Sequence, residues 1–333
     1  MGDIDTYTKE YVSQPEVYAD VFNYLLFQGE QIILPSSLTE QDITEISIPY
    51  GTENDKELTI PVQKLRDILK LCTIKSTDDT IYMLLGIENQ ANIHYAMPVR
   101  SMLYDALNYA GQTSKLSAFN RKDKNPKGPA EFLSGLQKHD KIKPVVTAVV
   151  YWGSKKWDAP RQLHDMLTLN KYSRGFVPNY KLNLIVPNEI CDFDKFRSDL
   201  KYSLPFLKYA EDNKSMNELM SKEPGYQSLN RLTSQLLSTV TGITIPQNSI
   251  KEEGVDMCKA WQDHYNEGMS LGITQGIIED IRDSINEILG RFGGISDEII
   301  SLISSQDNLD TLKKWRTTAI YATSLEDFLR KIA

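Results

Sequence analysis

The sequence reads LRDILKLCTIK at 65–75, STDD at 76–79 and TIYMLLGIENQ at 80–90. Ile, Leu, Thr and Tyr dominate both flanks, which suits a pleated, buried surface, and the four polar residues between them have turn composition. Taken as antiparallel strands over 66–75 and 80–90 joined by a two-residue turn at Thr77-Asp78, paired positions sum to 155. Asp67 then stands directly opposite Glu88, with Cβ atoms roughly 4.5–5.5 Å apart on one face. Gln90, two residues beyond Glu88, points to that same face. The run IYMLLGI reads as a strand buried on both faces, so Glu88 falls at a strand end. In any other register Glu88 simply faces solvent.

Two opposed carboxylates repel and destabilise a sheet. A shared proton, a nearby Arg or a divalent cation would compensate. Mg²⁺ prefers oxygen ligands, is typically held by one or two carboxylates and keeps several waters.

Outward from this hairpin, PEVYADVFNYLLFQ at 15–28 and MPVRSMLYDALNYAGQ at 97–112 have helical period, each with Pro in its first turn. VVTAVVYW at 145–152 reads as a fully buried strand and KLNLIVP at 181–187 as another. After about residue 190 strand signals disappear. DFDKFRSDLKYSLPFLKYA, NRLTSQLLSTVTG and the segment Glu252–Arg291 all show helical period. The expected class is α/β, with a mixed central sheet flanked by helices over 1–190 and a mostly helical region over 191–333. Gly268, Gly272 and Gly276 recur every four residues, a spacing that suits a close helix–helix contact and leaves homo-oligomerisation through the C-terminal helices open. Otherwise each glycine only weakens a solvent-facing helix.

The chain has 333 residues, a formal charge of −8 and 25% charged residues, the composition of a soluble globular protein. The acidic balance argues against coating nucleic acid by bulk charge. Between Lys115 and Lys156, however, ten basic residues face three acidic ones, so this segment is +7 and the remainder −15. Lys122, Lys124 and Lys155 belong to it, and Trp152 and Trp157 flank its end. It suits a loop that tracks phosphates with an aromatic contact; a plainly solvated loop is the alternative. The N-terminus lacks the basic and apolar regions of a signal peptide, and no apolar run is long enough to span a bilayer. Three distant cysteines suit reduced thiols in a cytoplasm, and four scattered histidines without C-x-x-C argue against a His/Cys zinc site. No P-loop or G-x-S-x-G is present.

The acidic hairpin resembles the PD-(D/E)xK nuclease superfamily, with Asp67 in LRDIL and Glu88-Asn89-Gln90 in GIENQ. More narrowly it resembles the Rpn family of recombination-promoting nucleases, also described as transposase-like. PEVYADVFNYLLF, LRDIL, YMLLGIENQANIHYAMPVRSMLYDALNY, FLSGL, VVTAVVYWGSKKWDAP, LNLIVP and DKFRSDLKYSLPFLKY carry the resemblance from about residue 10 to 210, and CKAWQD at 258–263 continues it loosely. The resemblance implies a restriction-endonuclease-like core and Mg²⁺-dependent hydrolysis of DNA, with Mn²⁺ and Ca²⁺ as the other candidate cations. Asp67 and Glu88 would ligate the metal together with the Asn89 backbone carbonyl. Gln90 stands where the superfamily usually has Lys; an amide can position a water but cannot act as a base. Asp20 matches an acid of the first helix in such sites, and an ordinary helix residue is the alternative. Arg100 and Tyr104, four apart on the next helix, share a face suited to a phosphate. The rival functions are a catalytically weak or inactive nucleic-acid-binding or assembly protein of the same fold, and hydrolysis of RNA or a nucleotide.

Overall fold

In the computed structural model, which describes residues 2–41, 48–53, 56–60, 67–75, 80–123 and 128–332, Ile68 pairs with Ile87 and Lys75 with Thr80. The hairpin therefore has the register in which paired positions sum to 155. The expected turn at Thr77-Asp78, the residues just before Asp67 and Lys124 lie outside the described residues.

Two helices, α1 (Gly2–Ser13) and α2 (Pro15–Phe27), precede strand β1 (Leu38–Glu40) and a separate ribbon of β2 (Ile48–Glu53) and β3 (Lys56–Ile60). The hairpin strands are β4 (Ile68–Lys75) and β5 (Thr80–Gln90). Helices α3 (Met97–Asp123) and α4 (Pro129–Ser134) lead to β6 (Val145–Tyr151), followed by β7 (Asn183–Ile185). The sheet order is β1-β4-β5-β6-β7. β1, β4 and β5 pair antiparallel, whereas β5, β6 and β7 pair parallel. The fold is thus α/β with a mixed five-stranded sheet, the parallel crossover from β5 to β6 being made by α3.

Alternation along β5 sorts the two faces. Leu84 packs with Leu69, Val145 and Tyr109, and Glu88 meets Arg100, so even-numbered residues face α3. The odd-numbered face meets α1 and α2: Tyr18 donates to the Leu85 carbonyl at 2.6 Å, and Lys70, paired with Leu85, lies 4.9 Å from the Tyr18 ring centroid. The buried Lys70 ammonium also donates to the Ser13 carbonyl at the end of α1, where the helix dipole favours a cation. Tyr11, Tyr18, Phe22 and Trp152 fill this layer. Each such side chain contributes roughly 1.5–3 kcal/mol by burial.

α2 ends in Gln28 and Gly29, both at positive φ. A Cβ at Gly29 would come within 3.0 Å of Lys195, so glycine meets a conformational and a steric demand at once. Asn23 then pins the returning chain, donating to the Ile33 carbonyl and accepting from its N–H.

Helix α3 continues past the expected end at 112 to Asp123, so the first part of the basic stretch is helix and not loop. Asn120 is buried within it, and its amide donates to the Gly135 carbonyl and to Asp140, which ties the following chain back to the helix.

Helices α5 (Leu200–Tyr209), α6 (Asn213–Lys222) and α7 (Arg231–Thr241) follow, then a short ribbon of β8 (Ile250–Lys251) and β9 (Gly254–Val255). The chain divides into two compact units, Met1–Cys258 and Lys259–Ala333. The boundary expected near 190 therefore falls inside the first unit. Tyr11 of α1 shares a hydrogen bond with Ser203 of α5, and Thr233 of α7 donates to Asp199, so these helices complete the α1/α2 layer.

The second unit is helical. α8 (Met257–Gly290) spans the division and is followed by α9 (Asp297–Ser304), α10 (Leu309–Tyr321) and α11 (Leu325–Ile332). Ile278, Ile281, Ile285 and Leu289 form the buried stripe of α8 against Ile299, Ile303, Leu312 and Phe328. Arg291 donates to the Ala319, Ile320 and Ala322 carbonyls and closes the end of α10. Residues 266–277 of α8 are exposed, and a Cβ at Gly268, Gly272 or Gly276 would meet nothing within 4 Å among the described residues. No described helix is long and apolar enough to cross a membrane.

Candidate functional site

Asp67 immediately precedes β4, whose first pair is Ile68 with Ile87, so it lies at the sheet end beside Glu88 and Asn89. Its Oδ2 accepts from the Asn89 N–H at 2.8 Å, which locks the carboxylate against the last turn of the pleat. Backbone groups alternate sides along a strand, and the Gln90 carbonyl accepts from Trp152 on β6's side. The Asn89 N–H and C=O therefore both point to the β4 side, where Asp67 lies. The Asn89 side chain points to the opposite sheet face, where its Oδ1 accepts from the Trp152 indole at 2.9 Å. Tyr11 packs edge-on against that indole, so an aromatic chain from α1 fixes the strand end.

Glu88 is fully buried, and Arg100 Nη2 lies 3.1 Å from its Oε2. Arg100 Nε also donates to the Tyr104 hydroxyl at 3.2 Å. Arg100 and Tyr104 thus share the helix face toward the carboxylates, as their spacing predicts. Asp67 is 8% exposed, and its Oδ1 lies 3.2 Å from Lys9 Nζ, which also donates to Asp5. Of the three ways to relieve opposed carboxylates, the structure supplies positive charge, from Arg100 on one layer and Lys9 on the other. Among the described residues no third Asp, Glu, His or Cys joins the pair in a metal-binding group.

These contacts shift the titrations. Burial works against the charge on Arg100, but Glu88 and then Tyr104 outweigh it and raise its pKa. Burial, reinforced by the Glu88 charge, raises the Tyr104 phenol, which keeps it a neutral hydroxyl. Lys9 is opposed by partial burial and raised on balance by Asp5 and Asp67.

Gln90 is buried on the same face as Glu88. Asp20 has other partners. Its Oδ2 accepts from the Arg197 and Ser198 N–H groups at 2.8 Å and from the Ser198 hydroxyl at 2.7 Å, and Oδ1 from Gln31. It holds the segment entering α5, and no described hydrogen bond or ion pair joins it to Asp67 or Glu88.

No family model, curated protein or solved structure matches this chain.

The basic residues disperse. Lys155 is exposed on the loop that leaves β6 at the sheet end shared with Gln90, whose partner is Tyr151. Lys122 is exposed at the far end of α3, 22 residues from Arg100 and so roughly 33 Å along the axis. The expectation of one basic loop beside the carboxylates is corrected for Lys122, because α3 is continuous. Trp152 and Trp157 are core residues, 0% and 3% exposed, and cannot serve as an aromatic contact for a nucleic acid. The sequence reading missed Lys9. Ile4, Tyr7, Thr8, Tyr11 and Val12 have the helical period that would have revealed α1, but no local signal joins position 9 to position 67.

Proposed function

We infer that the chain is a metal-dependent endonuclease of the PD-(D/E)xK type, similar to the Rpn family, that hydrolyses DNA phosphodiester bonds and leaves a 5′-phosphate. The observation that carries this reading is a pair of carboxylates at one sheet end: Asp67, bonded to the Asn89 N–H and beside Lys9, and Glu88 beside Arg100. The donor set is hard oxygen throughout, which fits Mg²⁺, Mn²⁺ or Ca²⁺. Asp67, Glu88 and the Asn89 carbonyl would hold the ion. A cation bound there supplies Lewis acidity toward a phosphate oxygen and acidifies a bound water.

The chain's own groups have separate tasks. The Asn89 N–H fixes Asp67 by its hydrogen bond. Gln90 can orient a water by donating and accepting, but cannot take its proton. Arg100, with its planar fork, suits a phosphate, and Tyr104 remains a neutral donor. Lys9 brings to Asp67 a positive charge that Gln90 does not provide. A role in recombination, mobile-element movement or phage defence is family-level analogy.

One observation favours a second reading, a nucleic-acid-binding or assembly protein with little catalysis: Glu88 is fully buried against Arg100. Nicking of supercoiled DNA by the purified chain in Mg²⁺ separates the two. Wild type should cleave, and Asp67→Ala and Glu88→Ala should each cleave at least 100-fold more slowly. Cleavage retained by both variants overturns the site. DNA binding without cleavage in Mg²⁺, Mn²⁺ and Ca²⁺ favours the second reading.

A further inference from the structure

Residues 161–182 form a loop whose stem is closed by backbone hydrogen bonds from Leu163 to Tyr180 and from Leu182 to Arg161. His164 adds two ties, its N–H to Asn179 Oδ1 and its ring Nε2 to the Val177 carbonyl at 2.8 Å. At the tip, Asn170 Oδ1 accepts from the Tyr172 and Ser173 N–H groups, and the chain turns through bonds from Arg174 to Asn170 and from Val177 to Ser173. This ordered turn displays two aromatic rings, with Tyr172 72% and Phe176 89% exposed. Lys171 lies 4.9 Å from the Tyr172 ring centroid, and Arg174, between the two aromatics in sequence, is exposed. The loop carries Arg161, Lys171, Arg174 and Lys181 against Asp165; Arg161 is paired with Glu189 outside the loop, which leaves Lys171 and Arg174 at the tip.

A hydrophobic ring held this far into water forgoes the burial that drives folding, so a preorganised turn that exposes two of them needs an occupant. Cations interleaved with aromatics match the physics of single-stranded nucleic acid: charge follows the phosphates and flat rings stack on unpaired bases. Tyr, Phe and Arg are common at protein interfaces as well, but Lys is depleted there, and here Lys171 lies against the Tyr172 ring. The stem also reaches the candidate site's own helix, since the Tyr180 hydroxyl donates to Asp105 Oδ2 at 2.7 Å, one residue beyond Tyr104 on α3.

We propose that the 161–182 loop is a second nucleic-acid contact, in which Tyr172 and Phe176 stack on unpaired bases of single-stranded DNA while Lys171 and Arg174 meet its phosphates. This rests on the reading of DNA as the substrate, and deepens it to DNA with an unpaired stretch.

The test is fluorescence anisotropy of a labelled oligo(dT) and of a blunt duplex of equal length, with the full chain in EDTA, so that binding is read without cleavage. Tyr172→Ala and Phe176→Ala should each weaken oligo(dT) binding by about 5- to 100-fold, and duplex binding far less. Both side chains are exposed, so the melting temperature should stay unchanged. Phe176→Trp should bind as wild type, and its added fluorescence should be quenched by oligo(dT). Wild-type oligo(dT) affinity in the double alanine variant, or equal losses for single strand and duplex, overturns the proposal. A changed oligomeric mass with unchanged DNA affinity also overturns it and makes the loop a contact between copies. Wild type that binds oligo(dT) through the loop yet cleaves no DNA with any divalent metal overturns the nuclease reading alone.

Discussion

Arg100 Nη2 stands 3.1 Å from Glu88 Oε2, joining the helix after the central hairpin to a carboxylate with no solvent exposure. Removing one member of a buried pair leaves the other charge uncompensated, whereas removing both leaves none. Arg100→Met should therefore destabilise the first unit by roughly 2–4 kcal/mol, discounted for the partial exposure of Arg100. The double variant Glu88→Gln/Arg100→Met should lose less than the sum of the single variants. Urea unfolding of the four proteins measures the coupling; additive losses would show that the pair does not interact.

Lys9 links α1 to Asp67 and has a raised pKa. For a raised group, the stability it adds is fully present below the unfolded value of 10.5 and is lost as pH rises through the higher folded value. The stability difference between wild type and Lys9→Met should thus be constant from pH 7 to about 10 and shrink above that. Denaturation midpoints across this range check it, and a difference that grows with pH contradicts the pairing. Lys9 is 40% exposed, so its effect should be modest, on the order of 1 kcal/mol or less.

Asp20 accepts three hydrogen bonds from Arg197 and Ser198 through one buried oxygen. Asp20→Ala should cost roughly 2–4 kcal/mol, the expected loss for buried charge-assisted bonds. If its task is to hold the entry to α5, the folded variant should keep metal-dependent cleavage at temperatures well below its melting point. Cleavage lost 100-fold with an unchanged melting temperature would instead place Asp20 in the chemistry.

In the second unit Asp327 accepts from Lys331, the Thr323 N–H and Arg330, and these bonds hold its carboxyl well below the usual carboxylate range. For a depressed group, the stability it adds is present above the unfolded value of 3.8 and is lost as pH falls through the lower folded value. Replacing Asp327 by Asn should remove that acid-dependent part, so the variant's stability should change less than wild type's between pH 4 and pH 2. Circular dichroism of acid titrations reads this directly; identical acid limbs would argue against these bonds holding the carboxylate.

The central hairpin was legible from the chain alone. Residues of β4 and β5 are neighbours in the chain, their alternation assigns faces, and turn length sets register, so the pairing of Ile68 with Ile87 and the shared face of Arg100 and Tyr104 could be read locally. The charge count was equally local, but its meaning was not: one continuous helix carries Lys122 away from Arg100, and Trp152 and Trp157 belong to the core. What neutralises the carboxylates and what Asp20 holds depend on long-range packing. Lys9 meets Asp67 across 58 positions, and Asp20 meets Ser198 across 178. Periodicity reports which face of an element is buried; it carries no information on which distant group is brought to that face, because that choice is made by packing of whole layers.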